Sequence, residues 1–155
     1  MINLIRQDDR RDLVSSLPAA FYECSRLPVE FLLQGLEDED LPSLSPSDLI
    51  NLLEGKQEII KNDLLFLEQL VMHTCPPMCR DRMSCHAHAN AFYKDHWSLT
   101  VGKAGDLLSN RHSISERIDE SKLCQECKKR VKHALSVYCE SKWKNLRETF
   151  IIAPW

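Results

Sequence analysis

The chain has 155 residues, 43% of them hydrophobic and 28% charged, with a formal net charge of −3. This is the size and mix of one globular domain, which excludes a disordered chain and a strongly basic nucleic-acid binder. Only four glycines occur, too few for the many turns of an all-β fold, so an all-α architecture is expected.

In chain order, residues 12–26 place Leu13, Val14, Leu17, Ala20, Phe21 and Cys24 on one helical face, interrupted or restarted at Pro18. A short helix follows from Pro28 through Leu33, with Gly35 as its stop. The run Glu37-Asp38-Glu39-Asp40 before Pro42 reads as a solvated loop. Ser45-Pro46-Ser47-Asp48 is a helix start. The stripe after it, from Leu49 and Leu52 through Leu67 to Val71, predicts the longest helix, ended by Pro76 and Pro77. Gly55 within it suggests a kink or a close helix contact. Residues 87–108 are expected to be helical, with Phe92, Trp97 and Val101 among the apolar positions. Residues 109–115 read as a turn, followed by one short helical turn at Ser115–Ile118. A last helix is predicted over 124–150, turning Val131, Leu135, Tyr138, Cys139, Leu146 and Phe150 inward. The sum is a helical bundle of five to six helices in a single domain, 1–155, whose residues 1–11 form a flexible N-terminal end.

Charge is unevenly distributed. Residues 1–70 carry 6 basic and 14 acidic side chains, and residues 111–155 carry 10 and 6. Solvated helix faces explain this most simply; the alternative is a basic surface for an acidic partner. No apolar run approaches the ~20 residues needed to cross a bilayer, and the N-terminus turns charged before a signal-peptide core can form. No membrane is expected among the partners. The expected location is intracellular, in cytoplasm or nucleus, where the seven cysteines stay reduced.

Five of those cysteines cluster in sequence: Cys75, Cys79, Cys85, Cys124 and Cys127. The Cys124-Gln125-Glu126-Cys127 spacing lets two sulfurs bind one tetrahedral ion at a helix start, where unpaired amides favour thiolate. The other half of a site must come from Cys75, Cys79 and Cys85, with His86 or His88 able to replace one sulfur. Thiolate ligands suit a structural Zn2+. A thioredoxin-like redox pair is the competing reading, but it requires a strand before the CxxC, and none is predicted. Cys24 and Cys139 sit on apolar faces and read as core residues. His73, His96, His112 and His133 lack ligand spacing.

Catalytic motifs are missing. His86-Ala87-His88 lacks the glutamate of zinc deaminases, and Leu123 stands where their proline precedes the CxxC. No H-E-x-x-H, Walker loop or G-x-S-x-G occurs. The chain is therefore expected not to be an enzyme, with no catalytic residue and no cofactor other than the zinc.

Several motifs together resemble the region that follows the BTB/POZ domain in basidiomycete fungal proteins. They are Leu17-Pro18-Ala19-Ala20-Phe21-Tyr22, Leu53-Glu54-Gly55-Lys56-Gln57, Cys79-x5-Cys85, Leu123-Cys124-x-x-Cys127, and Trp143-x-x-Leu146-x3-Phe150-x3-Pro154-Trp155. Those relatives usually carry Arg-Glu where this chain has Lys56-Gln57, and proline where it has Arg147. The resemblance implies Cys79, Cys85, Cys124 and Cys127 as the ligands, leaving Cys75 over. It also implies that the BTB fold itself is absent, the chain being either a fragment or a stand-alone version of the helical half. By analogy with BTB adaptors, the expected function is a protein-interaction or adaptor module whose partner is another protein. Trp143, Phe150 and Trp155 are the candidates for an aromatic patch, against the simpler reading that they cap the core. A nucleic-acid-binding or transcription-associated role through Lys128, Lys129, Arg130 and Lys132 is the alternative, although consecutive positions point around a helix and form no single stripe.

Overall fold

A computed structural model describes residues 16–37, 44–102 and 106–150, with the side chains of 34–37 and 96–102 outside that description. The expected flexible end at 1–11, residues 12–15 of the first expected helix, the acidic run beyond Glu37 and Trp155 lie outside the described residues. So do the side chains of His96, Trp97 and Val101. Among the described residues there are seven helices and no strand. They are α1 (Leu17–Ser25), α2 (Val29–Glu37), α3 (Pro46–His73), α4 (Arg82–Gly102), α5 (Arg111–Glu120), α6 (Gln125–Lys144) and α7 (Leu146–Thr149). None is long and apolar enough to cross a membrane.

The chain divides into two compact units. One takes the described residues through Ile59 and those from Asn145 onward, and the other runs from Ile60 to Lys144. In the first unit, Pro18 lies in the first turn of α1, where its missing N–H breaks no helical bond. Phe21 and Phe150 are both fully buried, with ring centroids 5.6 Å apart and planes tilted by 40°. Leu17, Leu52 and Leu146 of the same unit are buried as well. Each such side chain contributes about 1.5–3 kcal/mol by leaving water. Gly55 explains itself here: a Cβ at this position would stand 2.1 Å from Phe150 Cδ1. Its absence of a side chain makes room for the ring. Lys56 Nζ donates to the Leu27 carbonyl at 2.9 Å, tying the α1–α2 connection to α3.

At the start of α3 the Ser45 hydroxyl accepts the Asp48 backbone N–H at 3.1 Å, and the two side chains lie 2.8 Å apart. This is an N-cap, satisfying an amide that the first turn leaves unpaired. The helix runs through Gly55 and stops at His73, ahead of the two prolines.

The second unit packs Leu67, Ala89, Leu107, Ile118, Val131 and Leu135 into one apolar cluster. A polar network lies beside it. Asp63, fully buried, accepts the Leu107 N–H at 3.0 Å, the Tyr138 hydroxyl at 2.7 Å and Lys142 Nζ at 2.7 Å. Asp106 accepts the N–H groups of Leu108 (2.8 Å) and Ser109 (3.0 Å), with Lys142 Nζ 3.7 Å away. Phe66 stacks on Tyr138 at 4.1 Å. Burial raises the Tyr138 phenol well above its ordinary range, and the Asp63 carboxylate adds to the shift.

Several expected boundaries differ. Gly35 does not stop α2, which continues to Glu37. Helix α4 begins at Arg82 and not at 87, because Asp81 Oδ1 accepts the Ser84 N–H at 3.0 Å and caps it. The single turn expected at Ser115 is a full helix, α5, whose two buried apolar residues, Ile114 and Ile118, are one helical turn apart on the side packed against α6. Two positions are a thin periodic signal, which explains why the sequence suggests only a turn. The last helix is not continuous: Asn145, at φ −97° and ψ 10°, separates α6 from α7. These differences raise the helix number above five to six.

Candidate metal centre

Three local devices deliver four sulfurs to one point in the second unit. After α3, the chain turns at the two prolines, and Cys79 closes the turn with its N–H on the Pro76 carbonyl at 3.0 Å. The Asp81 cap starts α4, and Cys85 falls in its first turn, with its N–H on the Asp81 carbonyl at 3.0 Å. Cys124 immediately precedes α6, its carbonyl accepting the Lys128 N–H at 3.0 Å, and Cys127 lies in the first turn. Cys124 thus occupies the place of an N-cap residue, with sulfur where Ser or Asp would offer oxygen.

The sulfurs of Cys79, Cys85, Cys124 and Cys127 all lie within 4.8 Å of one another. Cys79 Sγ is 3.6 Å from Cys127 Sγ and 3.9 Å from Cys124 Sγ. These separations are far beyond the ~2.05 Å of a disulfide, and all seven cysteines are free thiols. Cys79, Cys85 and Cys127 are buried and Cys124 is half-buried. The Cys124 N–H points at Cys85 Sγ, 3.4 Å away. Such amide–sulfur bonds favour the thiolate form.

The electrostatics separate the four groups. The Cys127 amide, with the neighbouring thiols, lowers Cys124 to about 7. Burial pushes Cys127 strongly upward, and hydrogen bonds to the other three thiols add to the rise. For Cys85 the Cys124 amide pulls downward, but burial and the Cys79 and Cys124 thiols outweigh it and leave the group raised. Four thiols this close cannot all shed protons without a cation among them, since like charges oppose each further ionisation. The arrangement is chemically suited to holding a metal ion.

The other sequence candidates stand apart. Cys75 Sγ lies 3.7 Å from the Arg82 carbonyl and is not among the four. His86 is exposed and its Nδ1 lies 3.0 Å from the Asn90 side-chain nitrogen; neither it nor His88 joins the cluster. Cys139 is core as expected, whereas Cys24 is only half-buried. Exposed His112 pairs with Glu116 at 3.2 Å. An apolar cavity close by, lined by Leu67, Leu70, Phe92, Tyr93, Ile118 and Val131, holds about 10 Å³.

Three of the four basic side chains singled out on α6 bond within their own chain. Lys128 Nζ donates to the Asp119 carbonyl at 2.6 Å, Lys132 pairs with the Asp119 carboxylate, and Lys129 lies 3.2 Å from Glu126. The aromatic candidates divide: Phe150 is core, while Trp143 is 51% exposed.

Comparison with known protein families, with curated proteins and with solved structures finds no match. The site therefore rests on its own geometry.

What the sequence did not single out is the Asp63–Tyr138–Lys142–Asp106 network. Its one available signal was Asp63 interrupting the apolar stripe of α3 at a position that turns inward.

Proposed function

We propose that the chain is a non-catalytic protein-interaction or adaptor module whose second unit is held together by one structural zinc ion on Cys79, Cys85, Cys124 and Cys127. The observation that carries this reading is the sulfur spacing. A tetrahedral ion with Zn–S bonds of about 2.3 Å holds its sulfurs roughly 3.8 Å apart. The two separations from Cys79, 3.6 and 3.9 Å, bracket that value. Cysteines this far apart in sequence converge at that distance for a reason, and a closed thiolate set is the donor chemistry zinc prefers. With sulfur at all four positions, no coordination place remains for water. Zinc here ties elements and performs no reaction.

The adaptor part follows from the resemblance of the sequence motifs to the region beyond BTB/POZ domains, and it is an argument by analogy. The intramolecular bonds of Lys128, Lys129 and Lys132 weigh against nucleic acid as the partner.

Native mass spectrometry of purified protein tests the metal. One zinc per chain is expected, lost on replacing any one of the four ligands by serine and retained in Cys75→Ser. Protein that folds to the same melting curve after exhaustive chelation would end the zinc reading. Protein holding iron in place of zinc would keep the four ligands and replace the ion.

A further inference from the structure

The four sulfurs differ in their reach to solvent and in the freedom of the backbone that carries them. Cys85 and Cys127 are 3% and 0% exposed, and both stand in the first turn of a helix, where backbone bonding fixes them. Cys124 is the half-buried member of the set, and it precedes α6, outside the helix. Cys79 lies between the end of α3 at His73 and the start of α4 at Arg82, again outside any helix. The two cysteines free of helical backbone are therefore Cys79 and Cys124, whose sulfurs are 3.9 Å apart. Side-chain rotation with a small shift of either segment closes that gap to the ~2.05 Å of a disulfide. Cys79 and Cys127 are slightly nearer, at 3.6 Å, but Cys127 is fully enclosed.

An oxidant entering such a set attacks the sulfur it can reach, since oxidation follows exposure as well as thiolate character. We propose that the centre is a peroxide-sensitive switch, in which a hydroperoxide oxidises Cys124 and Cys79 resolves the product. The Cys124 thiolate attacks the O–O bond of hydrogen peroxide, giving sulfenic acid and hydroxide. The Cys79 thiolate then displaces a second hydroxide from that sulfur, forming the Cys79–Cys124 disulfide. The peroxide takes up two electrons, one from each sulfur, and both hydroxides leave as water once protonated. Cys85 and Cys127 alone do not make a closed tetrahedral site, so an ion held by the four is released. The two segments stay tied, because the new bond joins the same positions, 45 residues apart. This rests on the zinc reading of the four sulfurs and adds regulation to it.

The test is stepwise addition of hydrogen peroxide to the full-length chain as purified. Released zinc is read with a chromogenic chelator, and remaining thiols are alkylated before peptide mapping by mass spectrometry. One zinc is expected per Cys79–Cys124 crosslink, with Cys85 and Cys127 recovered alkylated, and dithiothreitol with added zinc should reverse the change. Met78 and Met83, 80% and 87% exposed, are internal gauges of unspecific oxidation. The crosslink is expected at doses that leave both thioethers intact. Cys75→Ser should change nothing, since that sulfur lies against the Arg82 carbonyl, apart from the four. Cys79→His keeps a side chain that zinc accepts and should stop the reaction at the Cys124 sulfenic acid, captured by dimedone. A crosslink between Cys124 and Cys127 or to Cys75, zinc loss without a crosslink, or methionine oxidation ahead of the thiols would overturn the proposal. A zinc-loaded chain whose thiols resist peroxide would keep the metal and remove the switch. The same crosslink in a chain that never carries zinc would sink the metal reading and leave only the disulfide chemistry.

Discussion

The two units reach stability by different chemistry. Around Phe21 and Phe150 the first unit is carbon packed on carbon, with a glycine clearing space for a ring. The second has an apolar cluster too, but Cys79, Cys85 and Cys127 are part of it with Cys124 packed against it, and a carboxylate and an ammonium are enclosed in the same unit. Apolar packing degrades gradually as atoms are removed. A buried ion pair does not, nor would a set of thiolates on the proposed zinc, because each group left without its counterpart keeps the full cost of desolvation. The first unit should therefore tolerate trimming, and the second should fail abruptly.

On the proposed zinc reading, the largest expected effect is metal removal. Structural zinc in small domains carries an apparent binding free energy of about 10–16 kcal/mol that is also folding free energy. Cys127→Ser, or chelation of the wild type, should abolish amide-exchange protection in α5 and α6 while Phe21 and its neighbours in α1 keep theirs. Uniform loss of protection in both regions would break the contrast between them.

Next comes the enclosed cation. Lys142, whose side chain is 7% exposed, pairs with Asp63 at 2.7 Å. Lys142→Met should cost about 3–5 kcal/mol by stranding a buried carboxylate. Adding Asp63→Asn, which removes the stranded charge, keeps an acceptor for the Leu107 N–H and turns an amide donor towards the Tyr138 oxygen, should recover part of the loss in urea denaturation. A double variant no better than the single one would show that Lys142 acts through packing.

Gly55→Ala sets two known effects against each other. Helix propensity favours alanine by about 1 kcal/mol, whereas overpacking a filled core costs about 1–3 kcal/mol. With the new Cβ at 2.1 Å from an enclosed ring, the clash should win and the variant should be less stable. Phe150→Leu in the same chain should then be less damaging than it is alone. A stabilised Gly55→Ala would mean that the ring moves aside freely.

The smallest effect is at the α3 start. Ser45→Ala removes the acceptor of the Asp48 amide and should lower stability by about 1 kcal/mol, with Ser45→Thr, which keeps the hydroxyl, close to wild type. A larger loss would point to the Ser45–Asp48 side-chain bond as the main contributor.

Much of this was readable beforehand where a local rule and a tertiary need coincide. The Ser45-Pro46 start, the stop before Pro76 and the inward positions Leu52, Ile59 and Leu67 all follow from spacing. The CxxC places two sulfurs by helix geometry alone. Reading failed where one residue type serves two purposes. Asp81 was passed over because it sits between two cysteines, yet it caps α4 and so moves the helix start five residues earlier. Phe150 had the period of α6 but belongs to a separate short helix, since Asn145 leaves the helical region. Nothing in the sequence marks Lys142 as enclosed, because a long amphipathic side chain gives no sign of where its end will lie.

By itself the sequence determined the helical character, the long third helix with both its ends, and the cysteines able to serve as ligands. Those depend on interactions within a few residues: caps, prolines, periodicity and the two-residue cysteine spacing. The motif resemblance already pointed to Cys79 and Cys85 rather than Cys75, and the structure brings those two sulfurs to Cys124 and Cys127; only the tertiary structure decided that Gly55 faces Phe150 and that Asp63 meets Lys142. Each joins positions distant along the chain, and their approach depends on the packing of whole helices, whose outcome no local pattern encodes.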